Sequence, residues 1–252
     1  MIEMRALSEL EDKFDAVFYI SAYIPRKGEA VDMQRLFAVN VSLPEQLCER
    51  FSRAKIVYAS SVSIYGSKSG VITEESASQE PESYGLSKLW GEAIVRAHAR
   101  YAVVRISSMY GAGMHSSTFL PLVIENALNQ NQITLLGSGT RQQNYIHVAD
   151  VAQVFVKAAE SSVNGVFLAA DYRSYSNQEV AEQVTHCLPE IIVYHVGIDN
   201  SPSFNYDSSH TYTTLELSHP RALSVGINEL IAWKKNSISY RYWRQCWTRN
   251  YS

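Results

Sequence analysis

Glycine is scarce where a phosphate turn would need it. The 252 residues include 12 glycines, the first at Gly28, and no GxGxxG spacing occurs anywhere. Gly111 and Gly113 lack the third glycine, as do Gly137 and Gly139. The strand, glycine turn and helix that cradle a dinucleotide pyrophosphate are therefore not recognisable in this sequence. Cysteine is rare too. Cys48, Cys187 and Cys246 are odd in number, far apart and without ligand spacing. That excludes a disulfide framework and a zinc site, leaves no metal centre to expect, and reads as reduced thiols in a cytoplasmic protein. Positive charge is not in excess, with 22 Lys and Arg against 25 Asp and Glu, so no electrostatic footprint for nucleic acid is expected. The tail from residue 240 mixes bases with aromatics, but a short cationic terminal helix or frayed end explains it more simply. No apolar run approaches a membrane span, and the first residues are charged where a signal peptide would be apolar.

What is present centres on Lys55–Tyr101. Ile56, Val57 and Tyr58 form a β-branched and aromatic run ending at Ala59-Ser60-Ser61, the pattern of a buried strand whose last residues reach a site. The following helical segment puts Tyr84 and Lys88 at i and i+4, on one face. A tyrosine hydroxyl titrates near 10 (about 10), and a neighbouring ammonium favours the phenolate. Ser61 could hold a substrate oxygen while Tyr84 moves the proton. Tyr-x-x-x-Lys spacing alone leaves a surface Tyr–Lys pair equally open. A second copy, Tyr23 to Lys27, contains Pro25, which speaks against a shared helical face.

SSVSIYG followed by YGLSK resembles the active-site pair of the extended short-chain dehydrogenase/reductases, the nucleotide-sugar epimerases and dehydratases. DAVFYISA (Asp15–Ala22), VVRISSMYGAG (Val103–Gly113), LLGSGTRQQNYIHVADVA (Leu135–Ala152) and GINELIAW (Gly226–Trp233) are similar to further family segments, in order along the chain. The resemblance implies an α/β fold: a Rossmann-like doubly wound parallel sheet with a small substrate-binding portion. Residues 1–112 and 144–170 would form the dinucleotide-binding domain, and 113–143 and 171–252 the substrate-binding portion. Met1 would fall at or just after the third strand, so that about 60 residues, two βα units, are lacking. Glu3 would stand near the family's adenine-contacting acid.

By the same resemblance Tyr84 is the acid/base, Lys88 holds the nicotinamide ribose, and Ser61 binds the reacting oxygen. Ala22 and Asn40 join Tyr84 and Lys88 on the cofactor, which would be NAD or NADP. Ser61, Ser63, Ser108, Arg141 and Gln143 face a nucleotide-sugar substrate. Arg26 and Lys27, in the loop Tyr23–Ala30, could touch a phosphate, although a solvated loop is the commoner role. Homodimers through two helices, one carrying Tyr-x-x-x-Lys, are frequent in the family.

Departures narrow the reaction. The 4,6-dehydratases carry Asp-Glu where Val62 and Ser63 stand, and the GDP-fucose reductase–epimerases carry cysteine at Ser63. Hydride transfer at a sugar carbon remains, as 4-epimerase or 4-ketoreductase. The family's Arg-Asp pair is Gln143-Asn144 here, and an amide lacks arginine's bidentate grip on phosphate; Arg141 is close by as a substitute or as an exposed loop charge. The alternative is a catalytically inactive remnant or binding protein of the same fold, with cofactor binding impaired by the lack of a glycine-rich turn.

Overall fold

Strand β1 (Ala16–Tyr19) opens the main sheet. Two short helices, α1 (Met33–Phe37) and α2 (Leu43–Arg50), are joined by a π-helical turn over Ala38–Ser42. Then come β2 (Lys55–Ser61), a 3₁₀ turn (Val62–Tyr65), β3 (Val71–Ile72) and α3 (Ser83–Arg96). Next are β4 (Tyr101–Ile106), β5 (Ser108–Tyr110), α4 (Phe119–Gln130), β6 (Gln132–Leu136), β7 (Gln142–His147) and α5 (Val148–Glu160). The chain continues through β8 (Gly165–Ala169), β9 (Ser174–Ser176), α6 (Asn177–Cys187), β10 (Ile192–Val196) and β11 (Asn205–Tyr206). It closes with α7 (Ser209–Thr214) and α8 (Leu223–Arg249). This computed structural model describes residues 7, 9–26, 28–114 and 118–249, with side chains as far as 236. Glu3 and Lys27 lie outside the described residues.

The main sheet is parallel throughout, in the order β1-β2-β4-β8. A parallel strand covered on both faces has no polar side to present, which is why β2 is apolar from Ile56 to Ala59 and polar only at its ends. Ile56 and Tyr58 pack with Leu47, Phe51 and Val95, under α2 and α3. Val57 and Ala59 point the other way, towards Val151, Val154 and Phe155 of α5. The sheet is thus doubly wound, as the sequence pattern implies. A second core lies outside it, where Leu120 and Ile124 of α4 meet Leu135, Val180, Val184, Ile227 and Leu230.

The sequence reads Asp15–Ala22 as one strand, Ser42 as an N-cap that restarts a helix, Asp150 as a helix cap or local partner, Asp199–Thr214 as irregular, and Tyr175–Leu188 as a helix beginning at Ser176. The first four need correction. The run Asp15–Ala22 gives a strand of only four residues. Past Tyr19 the chain leaves the sheet, and Tyr23 is held by Asn40, whose amide bonds both its N–H (2.9 Å) and its carbonyl (3.0 Å). Ser42 is not a new N-cap: its backbone is helical, with no side-chain cap bond, and the π turn carries the helix through to Pro44. The N-cap of α5 is His147, whose ring accepts from Ala149 N, while Asp150 accepts from Arg221 N at 2.9 Å. The stretch 199–214, read as irregular, contains β11 and α7. Ser176, by contrast, starts α6 as its pattern predicts, in a capping box with Glu179.

Candidate active site

Tyr84, Lys88 and Glu92 occupy successive turns on one face of α3. That face lies against the end of β2 because two glycines permit it. A Cβ on Gly85 would stand 2.3 Å from the Ser63 carbonyl oxygen, and one on Gly91 would stand 2.3 Å from the Tyr58 hydroxyl. Any larger residue would push the helix off the strand end.

Ser61 terminates β2 and caps the 3₁₀ turn, its hydroxyl accepting from Ser63 N and donating to Ser63 Oγ, both at 3.1 Å. Tyr84, on the first turn of α3, lies close enough for the Ser61 hydroxyl to act on that of the tyrosine. Two of the three expected catalytic side chains are therefore neighbours. Burial raises the Tyr84 hydroxyl above its ordinary value, and the Ser61 hydroxyl pulls the other way. This corrects the expectation that the Lys88 ammonium lowers it. That ammonium lies 4.5 Å above the Tyr58 ring and makes no hydrogen bond, to Tyr84 or to any other described residue. Lys88 is only 1 % exposed. Burial brings its pKa down to about 8, against the opposing pull of the Glu92 charge.

A pocket of about 450 Å³ opens beside Tyr84, lined by Ser63, Ser108, Arg141 and Gln143 on the side that sequence reasoning identified. It also takes in Glu80, Glu82, Pro202, Phe204 and Tyr206, which that reasoning missed. The Phe204 and Tyr206 rings stack at 6.5 Å; aromatics at i and i+2 in an otherwise polar stretch were the available signal. Arg141 donates through Nε to the Pro202 carbonyl, and Gln143 donates to Asn177 at 2.8 Å. Asn144 also lines the pocket, but it is buried and its amide is taken up by Ser107, the Asp171 backbone and the Arg173 carbonyl. Ala22 and Asn40 do not line this pocket. Ala22 is half-buried in the segment after β1. The Asn40 side chain is taken up by Tyr23 and, at 2.9 Å, by Ser87, so it meets the residue before Lys88, not Lys88 itself. Arg26 is exposed, 3.8 Å from Glu29.

The model of the NAD dependent epimerase/dehydratase family matches residues 3–169. The chain belongs to that family. Among its relatives, an uncharacterized UDP-glucose epimerase, YtcB, from Bacillus subtilis (strain 168) is 25% identical over 57% of this chain. The chain spans about half of that protein's length, 48%. A UDP-N-acetyl-alpha-D-glucosaminuronate decarboxylase from Bacillus cytotoxicus is 22% identical over 92% of this chain and 80% of its own. The fold is also that of a UDP-N-acetylglucosamine 4-epimerase from Methanobrevibacter ruminantium M1, solved with UDP-N-acetylmuramic acid (TM-score 0.82, 20% identity, 92% and 80% covered). A UDP-glucuronic acid 4-epimerase from Bacillus cereus, solved with NAD, gives a TM-score of 0.79 at 23% identity, covering 91% and 77%.

The family is NAD-dependent, and this chain's residues can be tested against that group. Lys88 holds a buried ammonium with no bonded partner, the donor that a ribose diol needs. At that end the residues fit. No GxGxxG turn in the sequence answers to the pyrophosphate. Among the described residues no cluster of three His, Cys, Asp or Glu could hold a metal, and no helix is long and apolar enough to cross a membrane.

Proposed function

We propose that this chain carries the chemistry of an NAD(P)-dependent nucleotide-sugar 4-epimerase or 4-ketoreductase. The observation that carries the reading is Tyr84 lining a pocket of about 450 Å³ beside the end of β2, one helical turn from an unpartnered buried Lys88. Tyr84 takes the proton of the sugar hydroxyl as its carbon is oxidised, and returns it when the carbonyl is reduced. Ser61 donates to the same oxygen, and Ser63 lines the wall beside it. The nicotinamide, when bound, supplies hydride acceptance and donation. Lys88 would bind its ribose, with Ala22 and Asn40 on the same side.

Ser108, Arg141 and Gln143 would bind the nucleotide-sugar substrate, Arg141 supplying the cation for its phosphates. Residues 1–112 with 144–170 would serve as the dinucleotide portion, and 113–143 with 171–252 as the substrate portion. We further propose that this polypeptide binds the cofactor weakly, because its sequence holds no GxGxxG turn. A second reading, a binding protein of the same fold, draws on that feature. We also propose a cytoplasmic protein that pairs with a second copy across α1 and α3, whose outer faces expose Met33, Phe37, Leu86 and Trp90.

The test is incubation with UDP-, dTDP- and GDP-hexoses at millimolar NAD(H) or NADP(H), followed by proton NMR of the sugar. Interconversion at C4, lost in Tyr84→Phe, supports the enzyme. Failure with every sugar while nucleotide sugars still bind would favour the binding protein.

A further inference from the structure

One helical turn beyond Lys88, Glu92 is buried at 2 % exposure and gripped from the opposite side. Arg105 of β4 holds both of its carboxylate oxygens, Nε to Oε1 at 3.0 Å and Nη2 to Oε2 at 2.7 Å. The Ser60 hydroxyl donates to the same Oε1. Arg105 is itself fixed by the Tyr65 hydroxyl at 3.0 Å and the Glu74 carbonyl at 2.7 Å, and its guanidinium lies 5.2 Å from the Tyr65 ring centroid. The Glu74 carboxylate accepts from Thr211, so it does not compete for the guanidinium. This is a closed polar cluster under the candidate site, made by β2, β4, α3, α7 and the 3₁₀ turn.

An i, i+4 Lys–Glu pair would ordinarily close on itself. Here it does not, since the Lys88 ammonium has no bonded partner. The groups facing Lys88 are Tyr84 and Glu92 on its own helix and the Tyr58 ring of β2. Tyr19 of β1 stacks on the far side of Tyr58. Apart from Glu92, none of these brings an opposite charge.

We propose that Glu92 is a positioning residue: held away by the Arg105 fork, it supplies a fixed counter-charge to Lys88 without bonding it, which leaves the ammonium available to the site. Its bearing on catalysis rests on the reading above; the arrangement itself does not. The depressed Lys88 pKa, with Glu92 working against burial, agrees with a field acting without contact. The fork sets the balance. Glu92 absent leaves a buried lysine that sheds its proton, and Glu92 released captures the ammonium.

The test is a Lys88 Nζ titration by heteronuclear NMR on the full chain without nucleotide, the resonance assigned with Lys88→Arg. Glu92→Gln is expected to lower the midpoint by about one pH unit. Arg105→Lys, which keeps the positive charge but loses the fork, is expected to raise it, because the freed carboxylate closes on Lys88. Arg105→Gln, which also removes a nearby positive charge, should raise it further. A midpoint that moves only when the Arg105 charge is removed, or that does not move in Glu92→Gln, overturns the proposal. Opposite shifts with no sugar turned over would sink the catalytic reading alone. Turnover with an unmoved Lys88 would sink this proposal alone.

Discussion

On the α3 side of the main sheet, Lys88, Glu92 and Arg105 are 1 %, 2 % and 6 % exposed, each at a fixed place. Along β1 the situation reverses. Phe18 is 45 % and Ile20 71 % exposed, the outer edge has no strand beside it among the described residues, and Leu10, Phe14, Val17 and Phe51 line an open groove of about 490 Å³. One side pairs two of its buried charges, Glu92 with Arg105, and holds the third, Lys88, without a bonded partner, an expensive arrangement for a buried ion. The other side offers apolar surface along the whole of an edge strand. The difference separates two requirements usually met together: groups that move a proton, and groups that grip a dinucleotide's phosphates. The proposed reading gives Tyr84 and Lys88 the first of these roles.

The largest effect expected is on chemistry. Tyr84→Phe should lower turnover about a thousandfold while nucleotide-sugar affinity stays within a factor of two or so. A loss of binding instead would place Tyr84 in recognition.

Next is the close approach of α3. Gly91→Ala drives a methyl into the Tyr58 hydroxyl and, 2.7 Å away, the Asn40 carbonyl. It should destabilise by about 3 kcal/mol in urea unfolding; a silent variant would mean that α3 is not pinned there.

Lys88→Met addresses the buried ammonium. Its folded pKa of about 8 lies below the ordinary lysine value, so the charged form destabilises the fold. That penalty is fully present below the folded pKa and is relieved as pH climbs towards the unfolded value. The variant should be more stable than the parent at pH 7 by about 2 kcal/mol, after the lost contact with the Tyr58 ring is discounted. The advantage should fade between pH 8 and 10 or so. A variant less stable at pH 7 would show that Lys88 is not strained.

Smallest is the exposed side. Ile20→Lys should change stability by less than about 0.5 kcal/mol and reduce self-association in sedimentation, since it puts a charge on an open edge. A large loss of stability would mean that the edge is packed in solution.

The parts legible in sequence share a physical cause. β2 showed as a buried strand because burial on both faces makes a continuous apolar run, its place in a parallel sheet coming from the family resemblance, and the Tyr84–Lys88 face showed because helical spacing is regular. Ser176 marked the start of α6. The π turn was hidden, since helix composition does not record one extra residue per turn. So was Glu74: it reads as a solvated loop acid, and only the fold brings Thr211 to it across 137 positions. The raised Tyr84 hydroxyl was equally out of reach, because burial decides it and spacing reports only neighbours. Arg105 stands as a charge in the apolar run Tyr101–Ile106 and so calls for a partner when that strand is buried, but Glu92 is identifiable only where α3 crosses β4.

The most direct test compares two ligands on the same chain by calorimetry: nicotinamide mononucleotide, which lacks the adenylate half, and NAD. Binding built on Ser61, Tyr84 and Lys88 alone predicts dissociation constants within about fivefold of each other (under 1 kcal/mol or so), both weakened by Lys88→Met. NAD binding a hundredfold or more tighter than the mononucleotide would show that this chain grips the pyrophosphate and adenylate as well, and would contradict the account.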